Sequence, residues 1–347
     1  MRIEQWQLFK KVAKSGQADR VPLSLIIDSP WMPGCLGINH LDYYFDPEVW
    51  FDSNLRILKE FPDVIVFPSW WAEYGMAIEP SALGCRIHFA QDQPPSQIPG
   101  LVRLEDLDEF QPVDPEADGL MCAALHRYRT QKKRIFEAGY TIPVVTARGP
   151  LCTASFMRGV TPFMMDLIDN PDGVHKLLAY ITDVTIRWLR AQAEAIGGSV
   201  EGVFILDDIP GFLSRQHYLE FAHPYLKQIF DSFPKAWVKV YHNDASIGPF
   251  LEDLADVGFD VLNWTFKLEV EEVRKRTNGK IRLMGNIAPM DIGVRGSPQE
   301  VKTATLNLLR RVGREGIILS VGGGVSPGMP GANIAAMAEA VREFNSQ

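Results

Sequence analysis

The sequence predicts an α/β fold, a (β/α)8 TIM barrel with an elaborated N-terminal region. Three observations predict it: eight short β-rich runs recur along the 347 residues, amphipathic helix-length segments separate them, and no Gly/Ser or Pro-rich linker divides the chain. The runs occupy 21–29, 63–68, 142–150, 200–208, 236–244, 259–264, 280–287 and 316–324. They are continuously apolar rather than alternating, the pattern of parallel strands covered on both faces. Helical crossovers of one hand then close such strands into a barrel. A doubly wound open sheet is the alternative arrangement of the same elements.

Residues 1–20 are polar and amphipathic, without the apolar segment of a secretory signal, and no later run is long enough to span a bilayer. A cytoplasmic protein without a membrane partner is expected. The second run, DVIVFP, precedes a long segment at 69–141 whose Pro and Gly residues forbid one continuous helix. An excursion at about 69–119 is predicted there, with GCRIHF at 84–89 seeding a small hairpin or lid, then a helix at 120–139. The excursion has little apolar content of its own, so 1–347 is read as one domain. Farther on, 174–196, 215–233 and 298–312 carry apolar residues at three- and four-residue spacing, each between two strands.

The formal charge of -8, from 35 Lys plus Arg against 43 Asp plus Glu, argues against a nucleic-acid partner. The four cysteines, at 35, 85, 122 and 152, form no close pair, which predicts free thiols in a reducing compartment. No GxGxxG or GxxxxGK[ST] pattern occurs, so nucleotide chemistry does not follow. Three consecutive glycines at 322–324 offer either backbone amides for an anion or a tight turn beside a ligand.

In a β/α barrel the reacting groups stand beyond the C-terminal strand ends. Asp28, Arg148, Asp207, Asp208, His242, Asp244, Asn263 and Asn286 fall at such ends. Helix capping is the competing role for each Asp and Asn. Asp207 and Asp208 follow an apolar strand and should face opposite ways, one into the cavity and the other bracing a loop. His242 and Asp244 share one side of their strand, which suits proton transfer, a hydrogen bond to substrate oxygen, or part of a metal site whose identity stays open. The early aromatics Trp31, Tyr43, Tyr44, Phe45, Trp70, Trp71 and Tyr74 form either a substrate wall or lid and core packing; Trp31 and Trp70 are assigned to substrate.

Several longer motifs then stand out: FILDDIPGFLSRQHYLEFAHPYLKQIFDSF, VKVYHND with LEDLADVGFDVLNW, GNIAPMDIGVRGSPQEV and GIILSVGGGVSPGMPGANIAAMAEAVREF. With ALGCRIHF and DRVPLSL, they resemble the uroporphyrinogen decarboxylase-like superfamily, and its corrinoid-dependent methyltransferase branch in particular. The decarboxylase alternative expects basic residues after the first strand to hold the substrate carboxylates, yet 21–55 contains neither Arg nor Lys. In the thiol-activating branch, His242 matches the histidine of an HxC pattern, but Asp244 and Gly323 stand where its two cysteines would be. Zinc bound through carboxylates is left open. The resemblance therefore implies an O-demethylase component: a methyltransferase moving a methyl group from a small methylated donor, preferably an aryl methyl ether, to the Co(I) corrinoid of a partner protein. Asp208, His242 and Asp244 would neutralise the leaving oxygen, and Asp28, Trp31, Trp70, Arg148, Asp207, Asn263 and Asn286 would surround the donor. A noncatalytic small-molecule-binding barrel is the alternative of a different class, and a homo-oligomer is left open.

Overall fold

A computed structural model describes residues 1–17 and 19–347. Its strands, in chain order, are β1 (Ser24–Ile26), β2 (Ile65–Phe67), β3 (Arg86–His88), β4 (Ser96–Ile98), β5 (Val144–Arg148), β6 (Gly202–Leu206), β7 (Val238–Asn243), β8 (Val261–Trp264), β9 (Arg282–Ile287) and β10 (Ile317–Val321). Apart from the hairpin β3–β4, each strand lies within one of the eight apolar runs.

Parallel ladders join β5 through β10 in sequence order, and β1 pairs with β2. A parallel bridge between Leu23 and Leu319 connects the two sheets, giving the barrel order. At the other seam, between β2 and β5, no ladder forms among the described residues; Phe67 of β2 packs inside the barrel on Phe204 of β6 with ring centroids 5.0 Å apart. Beyond β2 the chain takes two left-handed residues, Ser69 at φ 75° and Trp70 at φ 52°, which turn it out of the ladder and into the excursion.

The packing explains the continuously apolar strands. Ile26, Val144, Phe204, Val240, Met284 and Ile318 fill the barrel interior, while their neighbours Leu25, Val145, Ile205, Tyr241, Leu283 and Leu319 pack outward against the helices. Both faces are dry. Helix Ile3–Ser15 closes the base by adding Trp6, Phe9 and Val12 to the inner core, and Trp6 Nε1 donates to Glu201 Oε2 at 2.7 Å.

Helices Gly119–Glu137, Pro171–Ile196 and Pro298–Val312 occupy the expected segments. The last starts at a capping box, with Ser297 N donating to Glu300 Oε2 at 2.7 Å. The single helix expected at 215–233 is instead broken into Arg215–His217, a π-helical turn Tyr218–Ala222 and helix His223–Asp231. Pro224 supplies the reason: it has no N–H, and its ring would clash with the carbonyl one turn earlier. The excursion does carry a hairpin, in which Arg86 opposes Ile98 and His88 opposes Ser96. No described helix is long and apolar enough to cross a membrane.

Candidate active site

Strand alternation carries the inward rows past the strand ends. Ile26 is followed by Asp28, Phe204 and Leu206 by Asp208, and Val240 by His242 and Asp244. These side chains, with Arg148 from the end of β5, line a cavity of about 350 Å³ at the C-terminal face. Its apolar walls come from Ile26, Leu206 and Val325 of the barrel, and from Met76, Pro94 and Pro95 of the excursion. The excursion thus roofs the same end of the barrel that holds the acids.

Asp208, His242 and Asp244 form the polar focus, each offering one ligand atom within 4.8 Å of the others. His242 Nε2 lies 3.5 Å from Asp208 Oδ1, and Asp244 N donates to that same oxygen at 3.1 Å. On the far side of the ring, His242 Nδ1 is 2.6 Å from Asn263 Oδ1. Asn263 Nδ2 is committed to the carbonyls of Met284 and Val321, at 2.7 and 3.2 Å, so its oxygen must face the imidazole. The proton of neutral His242 is therefore held on Nδ1, leaving the Nε2 lone pair toward the two carboxylates. One imidazole nitrogen, two carboxylates and an open cavity side suit a divalent cation such as zinc, and Asn263 is the outer partner that such a ligand needs.

Asp244 stands at the cavity mouth. Loss of hydration raises its pKa, opposed by His242 and reinforced by Asp208. Gly323, at φ 122°, permits this placement, because a Cβ there would come within 2.7 Å of Asp244 Oδ2. A second cavity, lined by Phe212, Ser246, Thr265 and Lys267 among others, also reaches Asp244.

Across the main cavity, the Asp28 carboxyl is pushed up to about 6 by burial, with Arg148 and His242 pulling it down. Behind it, buried Glu73 accepts from Ser29 N at 2.7 Å, Ser29 Oγ at 3.0 Å and Gly75 N at 2.7 Å. Burial and repulsion from Asp28 outweigh those donors and push Glu73 up to about 8.

Five residues assigned to substrate sit elsewhere. Asp207 points outward and accepts from Leu151 N at 3.1 Å and Cys152 N at 2.8 Å, so it caps helix Pro150–Arg158. Trp31 donates to Met329 O at 2.8 Å within the core. Trp70 is fully buried against Trp50, Phe51 and Tyr140. Asn286 donates to Leu268 O at 2.8 Å and lines a separate groove with Phe266 and Arg311. Asn263 lies behind His242 rather than against the cavity. No aromatic wall forms: Tyr43, Tyr44, Trp71 and Tyr74 are buried in the core, and Phe45 is exposed away from the cavity. Apolar packing took these rings because each removes a large area from water. Cys152 carried no functional signal in the sequence, yet its Sγ accepts from Asp208 N at 3.2 Å and helps fix that acid. All four cysteines are free.

The chain belongs to the uroporphyrinogen decarboxylase (URO-D) family, which it matches over residues 5–344. Curated relatives include uroporphyrinogen decarboxylases from Methylococcus capsulatus, 26% identical over 77% of this chain and 76% of the relative, and from Coxiella burnetii, 26% identical over 88% and 84%. Among solved structures, a methyltransferase from Methanosarcina mazei superposes with a TM-score of 0.84 at 21% identity, covering 98% of both chains. A B12-independent methionine synthase from Shewanella sp. shares the fold more distantly, with a TM-score of 0.59 at 12% identity over 93% and 98%.

Proposed function

We propose that this protein transfers a methyl group from a small methylated donor, preferably an aryl methyl ether, to the Co(I) corrinoid of a separate partner protein. The observation that carries the reading is the convergence of Asp208, His242 and Asp244 on one edge of a cavity whose walls include Ile26, Leu206, Val325, Met76, Pro94 and Pro95. Such walls take a small ring, and the polar edge receives the atom that loses its methyl group. Cobalt(I) supplies an electron pair to the methyl carbon, the carbon–oxygen bond breaks, and its electrons leave with the oxygen. Asp244, at the mouth, delivers the proton that makes this oxygen a phenol; Asp208 and His242 hold the carboxyl in place. A divalent ion held by His242 Nε2, Asp208 and Asp244 would supply Lewis-acid polarisation of the leaving oxygen instead of that proton.

The relatives' decarboxylase activity fits this cavity poorly. A porphyrinogen carries many carboxylates, and Arg148 is the one Lys or Arg among the described cavity-lining residues. The test is incubation with a reduced corrinoid protein and a panel of methoxylated aromatics, methylamines and methylthiols, following methylcobalt and demethylated product together. Aryl ethers should give one phenol per methylcobalt. Reaction of amines or thiols alone would remove the ether assignment, and the absence of methylcobalt with every donor would remove the methyltransferase reading.

A further inference from the structure

Arg148 stands out because its charge is buried without being matched. Only 7% of its surface is exposed, and it lines the donor cavity. Its backbone is pinned, with N donating to Glu79 Oε1 at 2.9 Å, and its guanidinium lies 5.5 Å from the Trp71 ring centroid. The side chain is therefore held in place rather than swept through solvent. Yet among the described residues its one side-chain hydrogen bond is long, 3.5 Å from Nη2 to Gly75 O, and it closes no salt bridge. Asp28 and Glu79 feel its charge, which pulls both pKa values down against burial, but neither carboxylate reaches ion-pair contact. Its unfilled donors open onto the cavity, where a planar anion would fill them.

We propose that Arg148 is an anion-binding subsite of the donor cavity, taking a carboxylate on the donor while the methylated atom lies at Asp208, His242 and Asp244. The second half of this assignment rests on the function proposed above; the anion site itself does not. The apolar walls between Arg148 and the acids then serve as the bed for the donor's ring.

The test measures binding to the purified protein by calorimetry, without corrinoid partner, using 4-methoxybenzoate and its neutral isostere 4-methoxybenzamide. A charge-assisted pair predicts that the carboxylate binds about 10- to 100-fold more tightly than the amide. Arg148→Met should bring the ratio to about one, and Arg148→Lys, which keeps the charge but loses the fork, should retain part of it. Equal affinities in the unsubstituted protein, absence of benzoate binding, or an unchanged ratio in Arg148→Met would each overturn the anion site. Should Arg148→Met fail to fold, the ratio in the unsubstituted protein and its decline in Arg148→Lys decide the matter. Arg148-dependent benzoate binding with no cobalt methylation would sink the methyltransferase reading and leave the subsite standing. Methyl transfer from neutral ethers with no carboxylate preference would do the reverse.

Discussion

Asn263 fixes the orientation of His242: its Oδ1 sits 2.6 Å from the imidazole Nδ1, and two backbone carbonyls prevent its amide from flipping. Removing it with Asn263→Ala frees the ring and leaves the carbonyls of Met284 and Val321 short of a donor. We expect divalent-ion affinity or turnover to fall about 10- to 100-fold, as for other outer partners of histidine ligands. Stability should drop by about 1–3 kcal/mol. Denaturant melts alongside activity separate the two effects, and unchanged turnover would deny Asn263 its positioning role.

His242→Ala and Asp244→Asn act directly on the polar focus. Circular dichroism should change little; Asp244→Asn should melt like the parent because Asp244 is exposed at the cavity mouth, whereas His242→Ala strands the buried Asn263 Oδ1 and should cost about 1–3 kcal/mol. Methyl transfer should fall by about 10²–10⁴-fold, the range for loss of positioned proton transfer. Retained turnover in both variants, with corrinoid-protein binding intact, would place the chemistry elsewhere.

Gly323→Ala tests the close approach to Asp244. A Cβ at 2.7 Å from Asp244 Oδ2, on a backbone at φ 122°, must displace either the carboxylate or the turn. A stability loss of about 1–3 kcal/mol and a turnover loss of at least about tenfold are expected. Wild-type kinetics in this variant would show that the position of Asp244 is not critical.

The buried acids set the sign of a pH effect. Asp28 rises from 3.8 to about 6 and Glu73 from 4.5 to about 8, so the folded protein binds more protons than the unfolded chain between about pH 4 and 8. Stability from these groups is fully present below their unfolded values and is lost as pH rises through the folded ones. The melting temperature should therefore decline from about pH 6 to pH 8, and Glu73→Gln should flatten that decline. An equally steep decline in Glu73→Gln would remove Glu73 as its source.

Equilibrium dialysis against zinc checks the donor set. One equivalent is expected to bind the metal-stripped protein and to be lost in His242→Ala. Absence of uptake by the unsubstituted chain would leave proton delivery by Asp244 as the sole means of stabilising the leaving oxygen.

The barrel was legible because two-sided burial writes each strand as an unbroken apolar run. The same alternation correctly separated Asp207 from Asp208 and kept His242 with Asp244. What the sequence could not disclose was competition for space. Trp31 and Trp70 are as apolar as any pocket wall would be, but their rings were drawn into the core. Asn286 sits at a strand end like Asn263, and only the nearby carbonyl of Leu268 draws its side chain aside. Cys152, on helix Pro150–Arg158, acts through the backbone N–H of Asp208 beyond the end of β6, a contact that has no signature in spacing or composition.

The roof of the cavity and its floor come from widely separated stretches of chain. Met76, Pro94 and Pro95 lie on a hairpin-bearing insertion, whereas Asp208, His242 and Asp244 project from the barrel wall. Gly75 lets two stretches of the insertion pack against each other, since a Cβ there would meet Pro95 Cδ at 2.9 Å. Exchange of this short surface segment would therefore alter what the cavity admits while leaving Asp208, His242 and Asp244 in place. Grafting a different 75–97 segment onto this barrel becomes a direct route to retargeting the cavity.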